Sequence, residues 1–235
     1  MTPGTVVTVR LSGGVGAEKD KIRPALVVHD AGPTVLILAI TDAQKRRIPT
    51  HALIQGYTSG TQVKDALVTC EHAWFLDPSR IEPRSGARDL TEDELGLVGR
   101  CLRIALGLRA SRPPPGRPDT PRGSVIEVDL FGGVGAEPSA LHRALVLSND
   151  AGNYFGRTLL VAPFVDSAIV GVPLASGTLD LARLRIVDVD RIQGGILDTI
   201  EGDALQQVEA VLEGLLPAAA AEPRRRRRRR SQARA

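Results

Sequence analysis

The residues with the clearest chemical potential follow a glycine-rich phrase, GGVGAE, that the chain contains twice, at 13–18 and 132–137. The first copy of the phrase ends in Glu18 and is followed by Arg23. A carboxylate can accept a proton and a guanidinium can bind phosphate oxygens, so this pair suits acid–base chemistry on a phosphate ester. Taken by themselves, a solvated loop carboxylate and a surface charge at the start of a strand are the simpler explanation.

Other chemistries find less support. A dinucleotide-binding loop needs a strand, then glycines, then a helix, whereas these glycines lead to Arg23–Pro24 and another apolar run. Cys70, Cys101 and the four histidines have no metal-ligand spacing, so we expect no metal and no cofactor. The N-terminus lacks the pattern of a signal peptide and no apolar run is long enough to span a membrane, which predicts a cytoplasmic protein with no membrane partner.

The repeated phrase belongs to a longer duplication. With an offset of 119 residues, 4–28 aligns with 123–147 without a gap. Farther along, WFLDPSRI at 74–81 matches RIVDVDRI at 185–192. Such self-similarity predicts two copies of one domain.

The segments between and after the copies are polar. RASRPPPGRPDTPR predicts an extended linker, and the run of arginines near the end predicts a disordered tail. The predicted organisation is copy 1 at 1–108, a linker at 109–122, copy 2 at 123–217 and the tail at 218–235. Copy 1 has a net charge of +1 and copy 2 of −8, so the excess positive charge of the chain lies in the linker and the tail. Binding of nucleic acid would therefore need local sites in copy 1 or in the tail.

Each copy has the signals of several short strands followed by one helix. Val7, Val9 and Leu11 alternate with polar residues, and continuous apolar runs of strand length follow. The final segment of copy 1 changes to helical periodicity, with Thr91 and Glu94 at the spacing of a capping box. The pattern predicts a mainly β (α+β) fold made of two small antiparallel barrels, each with a terminal helix.

The order of these pieces resembles the MazF/PemK family of toxins. The resemblance rests on GTVVTVRL, the glycine-rich loop that ends in glutamate, RPALVV five residues later, LILAIT, CEHAWFLDPSRI and the closing helix that ends in LGL. It implies SH3-like barrels, a two-fold dimer, and a metal-independent endoribonuclease that is restrained by an antitoxin.

The resemblance also implies site residues in copy 1. RNA supplies its own nucleophile, the 2′-hydroxyl, so Glu18 would act as the base and Arg23 would stabilise the charged phosphorane or act as its acid partner. Thr41, at a strand end, would donate a hydrogen bond to the same phosphate, although threonine is also an ordinary strand residue. Possible substrate-binding residues are Glu71, which could equally be structural, and the basic loop Lys45, Arg46 and Arg47.

Copy 2 has lost most of this set. Glu137 remains, but Arg23 corresponds to His142, Thr41 to Val165 and Glu71 to Ala182. We therefore expect copy 2 to be a scaffold that forms a pseudo-dimer with copy 1, and a higher oligomer stays open. Two other interpretations stay open: a non-enzymatic module that binds a protein, as gyrase-inhibiting toxins of similar fold do, or nucleic acid, and a copy 2 that inhibits copy 1. The partners to expect are single-stranded RNA and a cognate antitoxin.

Overall fold

The structure is a computed structural model that describes residues 1–19, 21–44, 47–59, 62–84 and 87–219. Lys45, Arg46 and the predicted tail from residue 220 onward lie outside the described residues.

Copy 1 consists of antiparallel strands followed by one helix. Its elements are β1 (Val6–Arg10), β2 (Ile22–Asp30), β3 (Val35–Asp42), β4 (His51–Ser59), β5 (Gln62–Leu76), β6 (Ile81–Pro83) and α1 (Glu92–Ala105). The predicted capping box is present at the start of α1, where the side chain of Thr91 accepts the N–H of Glu94 and the side chain of Glu94 accepts the N–H of Thr91. Because both orphan amides are satisfied, the helix begins at a fixed point of the chain.

Copy 2 repeats this order with one added helix. Its elements are β7 (Ser124–Asp129), β8 (Leu141–Val146), α2 (Asp150–Phe155), β9 (Thr158–Val165), β10 (Gly171–Leu174), β11 (Gly177–Asp180), β12 (Arg185–Asp188), β13 (Ile192–Thr199) and α3 (Gly202–Glu213). α2 lies in the segment by which copy 2 is longer than copy 1. The long β5 of copy 1 corresponds to two strands, β11 and β12, which a short 3-10 turn at Leu181–Arg183 separates.

The strands of both copies join into one sheet. Its strand order is β13-β7-β8-β9-β12-β5-β3-β2-β1-β6, and β4, β10 and β11 pair beside this path. The junction is the pairing of Trp74 in β5 with Arg185 in β12, two positions that the duplication makes equivalent. Equivalent residues that face each other are the mark of a two-fold arrangement, so the copies meet as the halves of a pseudo-symmetric pair.

The core also spans both copies. One buried apolar cluster includes residues of both, among them Leu38, Leu102, Leu145 and Ile186, and a smaller cluster lies within copy 2. The described residues are mainly β, as the sequence predicts, and they contain the two expected terminal helices, α1 and α3, and the additional helix α2. The sheet does not close on itself among the described strands, so the finer expectation of SH3-like barrels stays a prediction.

Candidate functional site

Strand register brings Arg23 and Thr41 together in copy 1. β2 and β3 pair antiparallel with Ala25 opposite Ala39. Continued by two residues, this register sets Arg23 opposite Thr41, and side chains two apart along a strand lie on the same face. The two residues that the sequence predicts for phosphate contact therefore share one face of the sheet.

Arg23 is half-buried and has spare hydrogen-bonding capacity. Its Nε is shielded from solvent and has no hydrogen-bond partner among the described residues. A shielded donor without a partner is costly in a folded protein, and an anionic ligand is one way to satisfy it. The guanidinium is thus suited to bind a phosphate.

The same face continues through Thr69, which sequence reasoning missed. Thr69 in β5 pairs with Ala39, so it is the diagonal neighbour of Thr41. Its hydroxyl donates to the carbonyl of Ala39 at 3.0 Å and accepts a hydrogen bond from Nζ of Lys19 at 3.2 Å. Lys19, the residue directly after Glu18, therefore reaches this face as well. The difference between the copies could have pointed to Lys19, because copy 2 has Pro138 at the equivalent position.

Glu71 lies next in β5 and takes part in a network with β4. Its Oε1 is 2.7 Å from Nε2 of His51, and its Oε2 accepts the hydroxyl of Thr50 at 2.8 Å. Burial is the largest influence on the pKa of Glu71 and raises it, but His51, a backbone N–H and Thr50 together outweigh burial, so the pKa lies below its usual value. His51 pairs with Thr69 across the two strands, and this places the network beside the Lys19 contact.

The carboxylate of Glu18 is bound by residues of copy 2. Its Oε1 accepts Nε of Arg191 at 2.6 Å and the N–H of Asp188 at 2.7 Å, and its Oε2 accepts Nη2 of Arg191 at 3.0 Å. The side chains of Glu18 and Arg191 are only 3% and 4% exposed. A base needs an accessible lone pair next to the reacting proton, so this geometry favours a structural role for Glu18 over the predicted catalytic one.

We call this set of contacts the Glu18 clamp. It comprises Glu18 and the N–H of Ala17 from copy 1, and Arg191 and Asp188 from copy 2. Oδ2 of Asp188 accepts the N–H of Ala17 at 2.7 Å, and Nη2 of Arg191 also donates to the carbonyl of Gly13. The clamp fixes the glycine-rich loop of copy 1 on the end of β12 in copy 2.

A second set, the Glu137 clamp, is its pseudo-symmetric counterpart. Nε of Arg80 lies 3.1 Å from Oε1 of Glu137, which also accepts the N–H of Asp77 at 2.8 Å. Oδ2 of Asp77 accepts the N–H of Ala136 at 3.1 Å, and Nη2 of Arg80 donates to the carbonyl of Gly132. The doubled GGVGAE and the doubled D-x-x-R thus bind each other reciprocally, which explains why copy 2 keeps the phrase.

Copy 2 lacks the face that copy 1 presents. His142 pairs with Val128 as Arg23 pairs with Val9. Arg143 is one residue later, and it points to the other face, where its guanidinium lies 5.5 Å from the ring centre of Phe164. Thr41 is replaced by Val165, which has no polar group to offer a phosphate.

The position of Thr69 is also changed in copy 2. By strand register it corresponds to Asp180, which is fully buried. Its carboxylate accepts the N–H groups of Ile169, Val170 and Ala182, so it organises the local turn. Copy 1 alone therefore combines Arg23, Thr41 and the Lys19 contact.

Of the predicted basic loop, Arg47 is exposed in the described part, and Lys45 and Arg46 lie outside it. Trp74 is buried at the junction, and its ring stacks on that of His72 with centres 6.0 Å apart. Next to it lies a small cavity of about 20 Å³ between the copies, whose lining includes Glu18, Lys19 and Arg185.

Among the described residues, no group of three or more histidine, cysteine, aspartate or glutamate side chains is placed to hold a metal ion. None of the described helices is both long and apolar enough to cross a membrane.

The arrangement defines the class of the protein as a duplicated, mainly β domain. The family described as PemK-like, MazF-like toxin of type II toxin-antitoxin system matches at residues 2–106 and again at 121–216. The chain therefore belongs to this family, and it contains the family domain twice.

Similar proteins include named endoribonucleases. Endoribonuclease MazF of Staphylococcus epidermidis is 33% identical over 111 residues, which cover 45% of this chain and 90% of that protein. Endoribonuclease EndoA of Bacillus subtilis (strain 168) is 32% identical over 111 residues, which cover 45% of this chain and 93% of that protein. The crystal structure of MazF from Deinococcus radiodurans covers 43% of this chain and 96% of its own, with 24% identity and a TM-score of 0.36.

Proposed function

We propose that the chain is a metal-independent, sequence-selective endoribonuclease toxin of a type II toxin-antitoxin system, with one active site in copy 1. The observation that carries the proposal is the Nε of Arg23, shielded and without a partner among the described residues, on the face that also presents Thr41. Membership of the toxin family and the names of its relatives support the same activity.

The reaction begins with the 2′-hydroxyl of single-stranded RNA. Its oxygen attacks the adjacent phosphorus, the bond from phosphorus to the 5′-oxygen breaks, and the products are a 2′,3′-cyclic phosphate and a 5′-hydroxyl. Arg23 stabilises the negative charge that develops on the phosphate oxygens, and Thr41 donates a hydrogen bond to the same group.

Proton transfer in this proposal does not pass through Glu18, because the Glu18 clamp occupies its carboxylate. The proton of the 2′-hydroxyl passes to water, and the leaving 5′-oxygen takes a proton from water. The planar guanidinium of Arg23, with its fork of N–H donors, suits charge stabilisation on the phosphate oxygens.

The antitoxin partner follows from the family, whose members act in type II toxin-antitoxin systems. We propose that a cognate antitoxin restrains this chain. Because copy 2 lacks the residues of the site, one antitoxin at copy 1 would be enough to block RNA.

The test is a cleavage assay with purified protein and single-stranded RNA in the presence of EDTA. The expected products carry 2′,3′-cyclic phosphate ends, and Arg23→Ala should lower the rate by at least about a hundredfold. The matched control is His142→Ala, which removes the equivalent side chain of copy 2 and should leave the rate unchanged. Wild-type activity in Arg23→Ala would overturn the proposal, and RNA or protein binding without any cleavage would favour a non-enzymatic module.

Truncation of copy 2 is a poor test of self-inhibition. Residues of both copies share the main core, so removing 109–235 would expose apolar surface of copy 1. Point substitutions in the intact chain avoid this problem.

A further inference from the structure

We propose that Lys19 is a further substrate-binding residue, a cation that contacts a phosphate of RNA beside the one held by Arg23, and that Arg191 of copy 2 positions it through Glu18. The inference rests on the proposed ribonuclease function of copy 1. It makes copy 2 a working part of the site, although copy 2 contributes no group to the chemical step.

The contact between Lys19 and the sheet supports a role in substrate binding. Its Nζ donates to Oγ1 of Thr69 at 3.2 Å, and Thr69 is the diagonal neighbour of Thr41, about 7–8 Å away by the usual spacing of paired strands. The contact therefore lies next to the row of Arg23 and Thr41. A phosphodiester chain that crosses this face meets an arginine, a hydroxyl and a lysine in succession.

The Glu18 clamp explains how a loop residue is held at this point. Glu18 directly precedes Lys19, and its carboxylate is bound by the guanidinium of Arg191 and by the N–H of Asp188. The clamp thereby fixes the backbone from which Lys19 extends. A side chain that is placed before the ligand arrives loses less conformational entropy on binding, so the anchor increases the affinity that one charge can provide.

Copy 2 has an equivalent clamp but no lysine beside it. The Glu137 clamp has the same design, with Arg80 in the place of Arg191, but the residue after Glu137 is the buried Pro138. The position of Thr69 is taken by Asp180, which binds backbone N–H groups. The Glu137 clamp thus serves only the pairing of the two copies. The Glu18 clamp also holds the backbone next to a charged side chain, Lys19.

The first experiment measures binding and cleavage separately. Single-stranded RNA with 2′-deoxy substitution at the cleavage position cannot be cut, and its affinity is measured at several salt concentrations. Lys19→Gln should weaken binding about ten- to a hundredfold and make the plot of log K against log salt shallower by about 0.7, the value for one phosphate contact. Lys19→Arg should restore most of both, since it keeps the charge.

The second experiment uses the two clamps as matched variants. Arg191→Met and Arg80→Met each remove one clamp arginine, and both should lower the stability of the fold. Only Arg191→Met should also weaken RNA binding. The double variant of Arg191→Met and Lys19→Gln should bind RNA little more weakly than Lys19→Gln alone. Equal RNA affinity of the two arginine variants would refute the positioning role.

The outcomes distinguish this inference from the proposed function. If wild-type protein cleaves RNA, Arg23→Ala does not, and Lys19→Gln binds and cleaves like wild type with an unchanged salt slope, the inference is wrong and the ribonuclease proposal stands. If wild-type protein neither binds nor cleaves RNA, both are wrong. Lys19→Gln replaces a half-buried side chain at the surface, so its result does not depend on whether the clamp variants fold.

Discussion

The carboxylate of Glu18 in copy 1 and the guanidinium of Arg191 in copy 2 form a buried ion pair, with Nε and Oε1 only 2.6 Å apart. Burial of two charges is favourable only when both are paired and their remaining lone pairs and protons are satisfied. Here the N–H of Asp188 and the carbonyls of Gly13 and Asp129 satisfy most of them. The pair therefore helps to fix the relative position of the two copies.

Glu18→Gln tests whether this residue is a base or an anchor. Loss of the charge leaves Arg191 buried beside a neutral group, so the free energy of unfolding should fall by about 3 kcal/mol. The cleavage rate at a temperature where the variant is folded should fall no further than in Lys19→Gln. Urea denaturation is followed by fluorescence of Trp74, the single tryptophan of the chain, which lies at the junction of the copies.

The control for this experiment is Glu137→Gln in the other clamp. Burial raises the pKa of Glu137 above its usual value despite the N–H of Asp77 and the charge of Arg80, so the charged form of Glu137 adds little to the stability of the fold. A smaller loss of stability and unchanged cleavage are expected. A thousandfold loss of cleavage in Glu18→Gln, with no comparable effect of Glu137→Gln, would restore the base assignment.

Thr41→Val places in copy 1 the residue that copy 2 has at this position. Valine keeps the shape and the strand propensity but has no hydroxyl, so the rate of cleavage should fall roughly ten- to a hundredfold while the urea midpoint stays within error. The reverse exchange, Val165→Thr, should have no effect on the rate, because His142 occupies the place of the arginine there. Unaltered cleavage by Thr41→Val would remove Thr41 from the site.

Gly16→Ala should weaken the Glu18 clamp through the backbone. Gly16 has φ +55°, and a Cβ there would lie 2.4 Å from Oδ2 of Asp188. Gly32 also has a positive φ, +85°, but has nothing within 4 Å of an added Cβ. Gly32→Ala should therefore cost only the backbone strain, about 1–2 kcal/mol, and Gly16→Ala more than that. Equal losses in urea denaturation would argue against the close approach of loop and carboxylate.

The stability of the protein in acid should depend on Asp188. Burial is the largest influence on the pKa of Asp188 and raises it, but the N–H groups of Ala17 and Asp190 and the charge of Arg157 outweigh it, so the pKa lies below the usual 3.8. Such a carboxyl contributes stability that is complete above pH 3.8 and is lost as the pH falls through its lower value in the folded state.

The measurement is the free energy of unfolding as a function of pH. Wild-type protein should lose stability steeply below pH 3.8, and Asp188→Asn, which has no carboxyl to titrate there, should lose less over the same range. Parallel curves for the two proteins would show that Asp188 does not bind the loop of copy 1 in the way described.

Much of the organisation could be predicted from the sequence, because it depends on local patterns. Alternation of apolar residues gave the strands, the spacing of Thr91 and Glu94 gave the start of α1, and the repeated phrases gave the duplication. The opposite faces of His142 and Arg143 also followed from the alternation of side chains along a strand. The family followed from the order of these same pieces.

The roles of individual charges depended on distant partners and only the tertiary structure decided them. Glu18 is 173 residues from Arg191 in the chain, so no local pattern shows that its carboxylate is occupied. Lys19 and Thr69 are 50 residues apart, and their contact exists because a loop held by copy 2 crosses the end of a strand pair in copy 1. The sequence by itself determined which residue types each copy has, whereas the pairing of the copies decided which of them face substrate and which face each other. The physical reason is that a charge takes its role from the groups within a few ångströms of it, and folding brings those groups together from both halves of the chain.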